Sequence, residues 1–150
     1  MKTAYFSLGC FWSPQLEFEK IKGVKKAEVG YCGGNDSNTT YEKVCSGSTN
    51  HAETVKVEFD DKVVSYEELV RFFFKVHDPT QLNRQGPDIG SQYRSEIFYK
   101  DEDQKKVAEK IKDEFNKKFK GKIVTNISKE KLYQPAEKYH QYYLKRKNII

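Results

Sequence analysis

Apolar and polar residues alternate along three short stretches of the first sixty positions, and each stretch predicts a strand. Over Lys2 to Leu8, Ala4, Phe6 and Leu8 are in phase. Val24 to Tyr31 is the second stretch and His51 to Phe59 the third. In the third, Glu53, Val55, Val57 and Phe59 share one face, and Ala52, Thr54, Lys56 and Glu58 the other. A helical pattern runs from about Cys10–Ser13 to Lys22, with Phe11, Phe18 and Ile21 on one side and Gly23 as its stop. Ser65-Tyr66-Glu67-Glu68 is a capping box that opens a helix through about Val76, ahead of Pro79. Tyr93 to Tyr99 predicts a fourth strand. Asp101 to Gln104 opens a charged amphipathic helix carrying Val107, Ile111, Phe115 and Phe119 and closing near Gly121. Ile123 to Ile127 predicts a fifth strand, and about Pro135 to Lys147 a last helix. Two polar loops interrupt the pattern: Gly33 to Asn50, with one helical turn at Tyr41 to Cys45, and Pro79 to Gln92. Strands and helices interleave, so the class is α/β or α+β with one central sheet.

The chain has 150 residues, which fits a single domain with a proper core. Aromatic residues carry much of that core, because ten Tyr and ten Phe stand beside a modest 37% of hydrophobic positions. The formal charge is +5, with both signs interspersed, which favours solubility over nucleic-acid binding. There is no long apolar run and no signal-peptide core, so a cytoplasmic protein is expected, with no membrane partner. In that reducing compartment the three cysteines Cys10, Cys32 and Cys45 are free, catalytic or redox-active rather than a structural framework. No C-x-x-C or H-x-x-x-H pair links them to His51, His77 or His140, so no metal site is expected. Neither G-x-G-x-x-G nor a P-loop is present.

Gly9-Cys10-Phe11-Trp12 is the most telling segment. It presents a thiol where a strand hands over to a helix. Amide groups and the positive end of the helix lower a thiol's pKa at such a point, and the thiolate is the nucleophile. Two large rings follow, which suits chemistry on a small apolar group. Glu53 is in register with the buried side of its strand, and an apolar setting raises a carboxyl pKa into the range of a proton donor. The same carboxyl at the frayed start of a strand can also reach water. Tyr41 and Tyr93 adjoin the two polar loops and can orient or share a proton, although most tyrosines pack with a wet tip. Asp88 lies in a Gly/Pro-rich loop, where it can serve turn amides or a ligand's N–H.

These residues resemble a known pattern. Gly9-Cys10-Phe11-Trp12, Gly30-Tyr31-Cys32-Gly33-Gly34, Thr40-Tyr41-Glu42-Lys43-Val44-Cys45-Ser46-Gly47 and His51-Ala52-Glu53 are similar to the signatures of the peptide methionine sulfoxide reductase A family. So are His77-Asp78-Pro79-Thr80-Gln81, the run from Gln85 to Ser95, and His140-Gln141-Tyr142-Tyr143-Leu144. The likeness runs from about Thr3 to Leu144, in order. It implies a mixed central sheet with flanking helices, an α/β roll of ferredoxin-like character. It implies reduction of methionine S-sulfoxide, free or in oxidised proteins, by a monomer with no cofactor. By position, Cys10 would attack the sulfoxide sulfur and Glu53 would protonate its oxygen, which Tyr41 and Tyr93 would hold. Phe11 and Trp12 would enclose the S-methyl group. Asp88 would contact the substrate's backbone amide, and His140 would support that side. Cys10 would become a sulfenic acid, which a second thiol condenses to a disulfide.

Many relatives carry recycling cysteines in a C-terminal tail, and this sequence has none there. The resolving thiol would be Cys32, Cys45 or an external one. Mobility of a glycine-flanked loop favours Cys32, whereas relatives often carry an unused cysteine at the place of Cys45. An internal disulfide implies thioredoxin as reductant; without one, glutathione or glutaredoxin would serve. Gln15 stands where relatives commonly have Glu and Ser13 where Gly is common, changes expected to tune the helix start. Two other readings have distinct requirements. A Cys–His hydrolase needs a histidine within reach of Cys10. A basic, tyrosine-rich RNA-binding module needs Lys and Arg gathered on a sheet face beside aromatics.

Overall fold

The computed structural model describes residues 1–146. In chain order its elements are β1 (Lys2–Leu8), α1 (Trp12–Glu19), β2 (Val24–Cys32), α2 (Tyr41–Cys45), β3 (Ala52–Phe59), α3 (Tyr66–Lys75), β4 (Arg84–Gln85), β5 (Asp88–Ile89), β6 (Ser95–Tyr99), α4 (Glu102–Lys118), β7 (Asn126–Lys129), β8 (Gln134–Pro135) and α5 (Tyr143–Arg146). Six strands form one mixed sheet in the order β7-β6-β1-β3-β2-β8, while β4 and β5 pair separately. The β6–β7 pair is parallel and the other pairs are antiparallel. This is the α/β class with a central mixed sheet that the interleaved pattern implies.

The period-two alternation decides what each sheet face touches. Ala4, Phe6, Val29, Val55 and Val57 join Phe18, Leu69, Phe73 and Ile111 of the helices in the main core. Phe6 stacks on Phe18 with centroids 5.0 Å apart. Tyr5, Cys32, Ala52 and Phe98 point to the other face and form a small separate cluster beneath Tyr133. Ser65 and Glu68 close a complete capping box on α3. Asp101 caps α4 by accepting from the Gln104 amide. Among the described residues, no helix is long and apolar enough to cross a membrane.

Three elements differ from the sequence expectation. The helix expected from Pro135 to Lys147 is instead β8, a single 3-10 turn at Lys138–His140 and the short α5. Tyr142 has φ +55°, a left-handed conformation that interrupts a helix there. Lys147 lies outside the described residues. The fifth strand begins at Asn126, because Thr125 is turned inward to bond Ser95 through its hydroxyl at 2.7 Å. The loop after Pro79 contains the β4–β5 hairpin, closed by Gly86 at φ +58°, and a 3-10 turn at Ser91–Tyr93. That turn delays the fourth long strand to Ser95.

Candidate active site

Four strand ends meet at one edge of the sheet. Leu8 pairs with Ser95, and Tyr31 pairs with Glu53. The end of β1, the start of β6, the end of β2 and the start of β3 therefore lie together. Gly9 turns the chain out of β1 with φ +101°, and a Cβ there would come within 2.8 Å of Gln85 Cβ. Only glycine fits that conformation and that gap. Cys10 is presented on this turn, partly exposed, and lines an open cleft of about 240 Å³ with Pro14, Glu17, His77, Gln85 and Asp88.

The expected low thiol pKa is not what the fold builds. Burial pushes the Cys10 thiol up to about 12, against a hydrogen bond from the Trp12 amide that pulls it down. Asp88, and Glu53 once it has ionised at alkaline pH, add to the rise. One amide facing the sulfur does not offset removal from water beside two carboxyl groups, so the resting site holds a thiol.

Glu53 is 1% exposed. Its Oε1 accepts from the Phe11 N–H at 3.2 Å. Its Oε2 is buried and has no hydrogen-bond partner among the described residues. Burial raises its pKa to about 8, the Phe11 amide opposes the rise, and Asp88 adds to it. Glu53 is thus chiefly a neutral acid at pH 7.

Both tyrosines are held as phenols. Burial, then the potential of Glu53, pushes Tyr93 up to about 12. Burial and a hydrogen bond with Cys45 raise Tyr41. Tyr41 opens α2, which Thr40 caps by accepting from the Lys43 amide. The Tyr41 ring lies 4.3 Å from that of His140. Phe11 is buried against Tyr31 and His140. Trp12 is clamped, with Tyr143 stacked on it at 3.9 Å and its indole N–H donating to His140 Nδ1 at 3.1 Å. Since the indole only donates, His140 Nδ1 is the acceptor and a neutral ring carries its proton on Nε2. That Nε2 is buried without a partner among the described residues.

Sequence reasoning missed the scaffold of this edge. Glu137 Oε1 accepts from the Tyr31 hydroxyl at 2.8 Å, and its Oε2 accepts from the Tyr41 amide at 3.0 Å. Three glutamine side chains each pair with both backbone groups of one residue, as an added strand would. Gln141 accepts from Val29 N–H at 3.1 Å and donates to its carbonyl at 2.9 Å. Gln85 does the same to Asp78, and Gln134 to Thr39. Gln15 is fully buried rather than tuning the start of α1. It donates to the Ala27 carbonyl and accepts from the Tyr142 amide at 2.7 Å, docking the C-terminal segment. Glutamine at loop positions has no periodicity, so only the polar loops flanking the strands hinted at these contacts.

Cys10, Phe11, Trp12, Tyr41, Cys45, Glu53, Asp88, Tyr93 and His140 gather at this edge. Cys32 does not, because the alternation of β2 turns it to the opposite sheet face, fully buried, with its thiol 3.5 Å from the Lys131 carbonyl. Its burial and fixed bond remove the mobility expected of it. His51 is spent on the glycine loop, accepting from Gly34 N–H at 3.0 Å and contacting the Asp36 carbonyl at 2.6 Å. His77 lines the Cys10 cleft, but its ring nitrogens contact the Phe73 carbonyl and Ser95 hydroxyl, and burial lowers its pKa to about 4. It is a poor base for a hydrolase dyad. The sheet face offered to an RNA is checkered, with Lys26 opposite Glu58 and Lys56 opposite Glu28. Among the described residues, no three His, Cys, Asp or Glu side chains are grouped to hold a metal.

A cysteine and a protonated, half-satisfied carboxyl within an aromatic enclosure, at the edge of a mixed α/β sheet, define a thiol-redox site. The comparisons agree with that class. Residues 2–149 match the family model described as "Peptide methionine sulfoxide reductase". A curated relative from Pelagibacter ubique, "Peptide methionine sulfoxide reductase MsrA", is 54% identical over 147 residues, 98% of this chain and 100% of that one. The reduced form of Mxr1 from Saccharomyces cerevisiae superposes with a TM-score of 0.94 at 38% identity, over 98% of this chain and 86% of that one. Mxr1 in complex with Trx2 superposes with a TM-score of 0.68 at 27% identity, over 95% and 84%. The chain belongs to the peptide methionine sulfoxide reductase family.

Proposed function

We propose that this protein reduces methionine S-sulfoxide, free or within oxidised proteins, to methionine at Cys10. The observation that carries the reading is Glu53, a buried carboxyl that keeps its proton at neutral pH and has one oxygen unengaged beside the cysteine turn. A sulfoxide oxygen leaves poorly unless protonated, so thiol attack requires such an acid.

In this mechanism the Cys10 sulfur bonds to the sulfoxide sulfur as Glu53 gives its proton to the oxygen. The thiol's own proton replaces the one lost from Glu53. The sulfur–oxygen bond then breaks, the hydroxyl ends on Cys10, and methionine leaves. In sum, thiol plus sulfoxide yields sulfenic acid plus thioether. Because the resting thiol is protonated, attack and proton transfer are coupled at Glu53. Tyr41 and Tyr93, kept as phenols, donate hydrogen bonds to the oxygen. Phe11 and the clamped Trp12 enclose the methyl group, and His140 holds the indole. Asp88, on the rim of the Cys10 cleft, receives the backbone N–H of a peptide substrate. A second thiol condenses with the sulfenic acid and releases water. Thioredoxin reduces the product, a reading supported by the complex of the yeast relative Mxr1 with Trx2. Glutathione or glutaredoxin would take its place if no internal disulfide forms. The protein works as a single catalytic domain, a cytoplasmic monomer.

The test is incubation of the protein with each methionine sulfoxide epimer and dithiothreitol. Methionine is expected from the S epimer alone. No methionine from either epimer would overturn the reading.

A further inference from the structure

We propose that a lysine-lined groove continuing from the Cys10 cleft binds acidic side chains of the oxidised protein, so that methionine sulfoxide within an acidic segment is the preferred substrate. The inference rests on the reading that peptide-bound sulfoxide is reduced at Cys10.

The groove is open and holds about 680 Å³. Val76 and His77 line both it and the Cys10 cleft, so the two are continuous. Lys75, Lys118, Lys120 and Lys122 surround it, all exposed, and the half-buried Phe119 adds an apolar part. Its walls are the ends of two helices, α3 at Lys75 and α4 at Lys118, with the segments that follow them. The Val124 amide donates to the Pro79 carbonyl at 2.8 Å, which ties those segments together. The Gly121 amide donates to the Asn116 carbonyl at 2.8 Å and the Lys122 amide to the Phe119 carbonyl at 3.1 Å. The lysine-bearing turn is therefore held in place before a ligand arrives.

Elsewhere on the surface, lysines meet acids. Lys110 lies 3.7 Å from Glu67, and on the sheet Lys26 and Lys56 oppose Glu58 and Glu28. In the groove, among the described residues, none of the four amines has a carboxylate oxygen within 4.0 Å. The acid among its lining residues, Asp78, is engaged by Thr80, whose N–H and hydroxyl donate to it at 3.0 and 2.6 Å. Each helix C-terminus adds roughly half a negative charge, so the lysines, Asp78 and the two helix ends leave roughly two positive charges unbalanced. The Cys10 cleft has the opposite sign, with Glu17 and Asp88 in its lining. The potential thus reverses along one continuous surface. A segment that sets its sulfoxide at Cys10 and its acidic side chains past His77 complements both ends. An open groove suits an extended chain crossing it better than a small anion, which would stay in water.

The experiment measures kcat/KM, with dithiothreitol as reductant, for peptides carrying a central methionine S-sulfoxide and runs of Asp, Asn or Lys spaced from it by glycines on both sides. Wild type is expected to favour the Asp peptide over the Asn peptide by roughly fivefold to tenfold, the worth of two exposed ion pairs, and to disfavour the Lys peptide. That preference should fall toward unity in 1 M NaCl, where the screening length is about 3 Å. Lys122→Glu should weaken it, and Lys120→Glu/Lys122→Glu should reverse it in favour of the Lys peptide. The preference is a ratio within one protein, so a variant that merely loses stability lowers both rates and leaves the ratio where it was. Equal kcat/KM for the Asp and Asn peptides in wild type, or a preference that survives the double variant, would overturn the proposal. A surviving preference with reduced thioredoxin-driven turnover would assign the groove to the reductant instead, and so overturn it too. Failure of wild type to form methionine from the Asn peptide would defeat the reading of peptide reduction itself.

Discussion

The backbone N–H of Phe11 donates to Glu53 Oε1 at 3.2 Å, leaving Oε2 buried and without a partner among the described residues. One strand-to-helix turn therefore positions both groups to which the proposed chemistry is assigned, since Phe11 follows Cys10 directly in the chain. The contact costs the acid little of its proton. Burial outweighs it and holds the pKa at about 8. It fixes the carboxyl in one orientation, with the free oxygen left to reach a ligand.

Glu53→Gln keeps the acceptor for the Phe11 amide and removes the transferable proton. Single-turnover methionine formation should fall by about 10²–10⁴-fold, the usual worth of a general acid. Affinity for the sulfoxide should change little, because the shape of the site is kept. A rapid-quench measurement of both quantities checks this, and an unchanged single-turnover rate would assign the proton to another group.

Cys10→Ser should abolish reduction with dithiothreitol as well as with thioredoxin, since a hydroxyl cannot take the sulfoxide oxygen. Thermal stability should be nearly unchanged, because the sulfur is partly exposed and the Trp12 amide that pulls its pKa down can donate equally to an oxygen. Measurable turnover by the serine variant would remove Cys10 from the chemistry.

The raised Glu53 pKa has two consequences with pH. The folded protein holds the Glu53 proton up to about pH 8, and the unfolded chain releases it near 4.5. Below pH 4.5 the group is neutral in both states. Between 4.5 and 8 the folded state binds more protons, so stability falls as pH rises, and above 8 it levels off. The stability of Glu53→Gln relative to wild type should improve by up to about 5 kcal/mol across that window. Urea unfolding of both proteins at pH 5, 7 and 9 checks the sign. Activity should follow the same group, with kcat/KM declining above about pH 8 in the wild type. A wild-type rate that climbs steadily to pH 10 would mean that thiol ionisation governs the reaction rather than the acid.

What the sequence reveals here depends on periodicity. β1 carries Ala4, Phe6 and Leu8 in phase and β3 carries Val55, Val57 and Phe59 in phase, so their ranges are legible, as is the position of Glu53 on the face of Val55 and Val57. The same alternation, applied to β2, separates Tyr31 from Cys32 and would have placed Cys32 on the far face. That argument is available from the residues, and loop-like glycines at Gly33 and Gly34 obscured it. The C-terminal segment is different. Ala136, His140 and Tyr143 have a helical look, but the fold satisfies that backbone from outside, through Gln141, Gln15 and a left-handed Tyr142. Such contacts join residues more than a hundred positions apart and leave no local trace. The thiol pKa is not legible in the sequence for a related reason. A helix start is visible in the chain, whereas the depth of burial and the carboxyl groups around the sulfur are set by tertiary packing.

Gln141 gives the last test, because its amide replaces a strand partner for Val29 and also meets Gln15 and the Ala136 carbonyl. Gln141→Leu keeps much of the bulk but leaves the Val29 N–H unpaired, while the Val29 carbonyl keeps the Ala136 N–H, and this should cost roughly 1–3 kcal/mol. Gln141→Glu is nearly isosteric yet sets an acceptor against the carbonyls of Val29 and Ala136, so it should be the more destabilising of the two at pH 7. Lowering the pH to protonate the glutamate should narrow that gap. The segment from His140 to Tyr143 also clamps Trp12, so both variants should raise KM for the sulfoxide more than they lower kcat. Tryptophan fluorescence provides an independent readout, since Trp12 is the sole tryptophan of the chain. Its emission should move to longer wavelength as the clamp loosens. Unchanged emission and KM in a destabilised Gln141→Glu protein would show that the C-terminal segment supports the fold without shaping the methyl pocket.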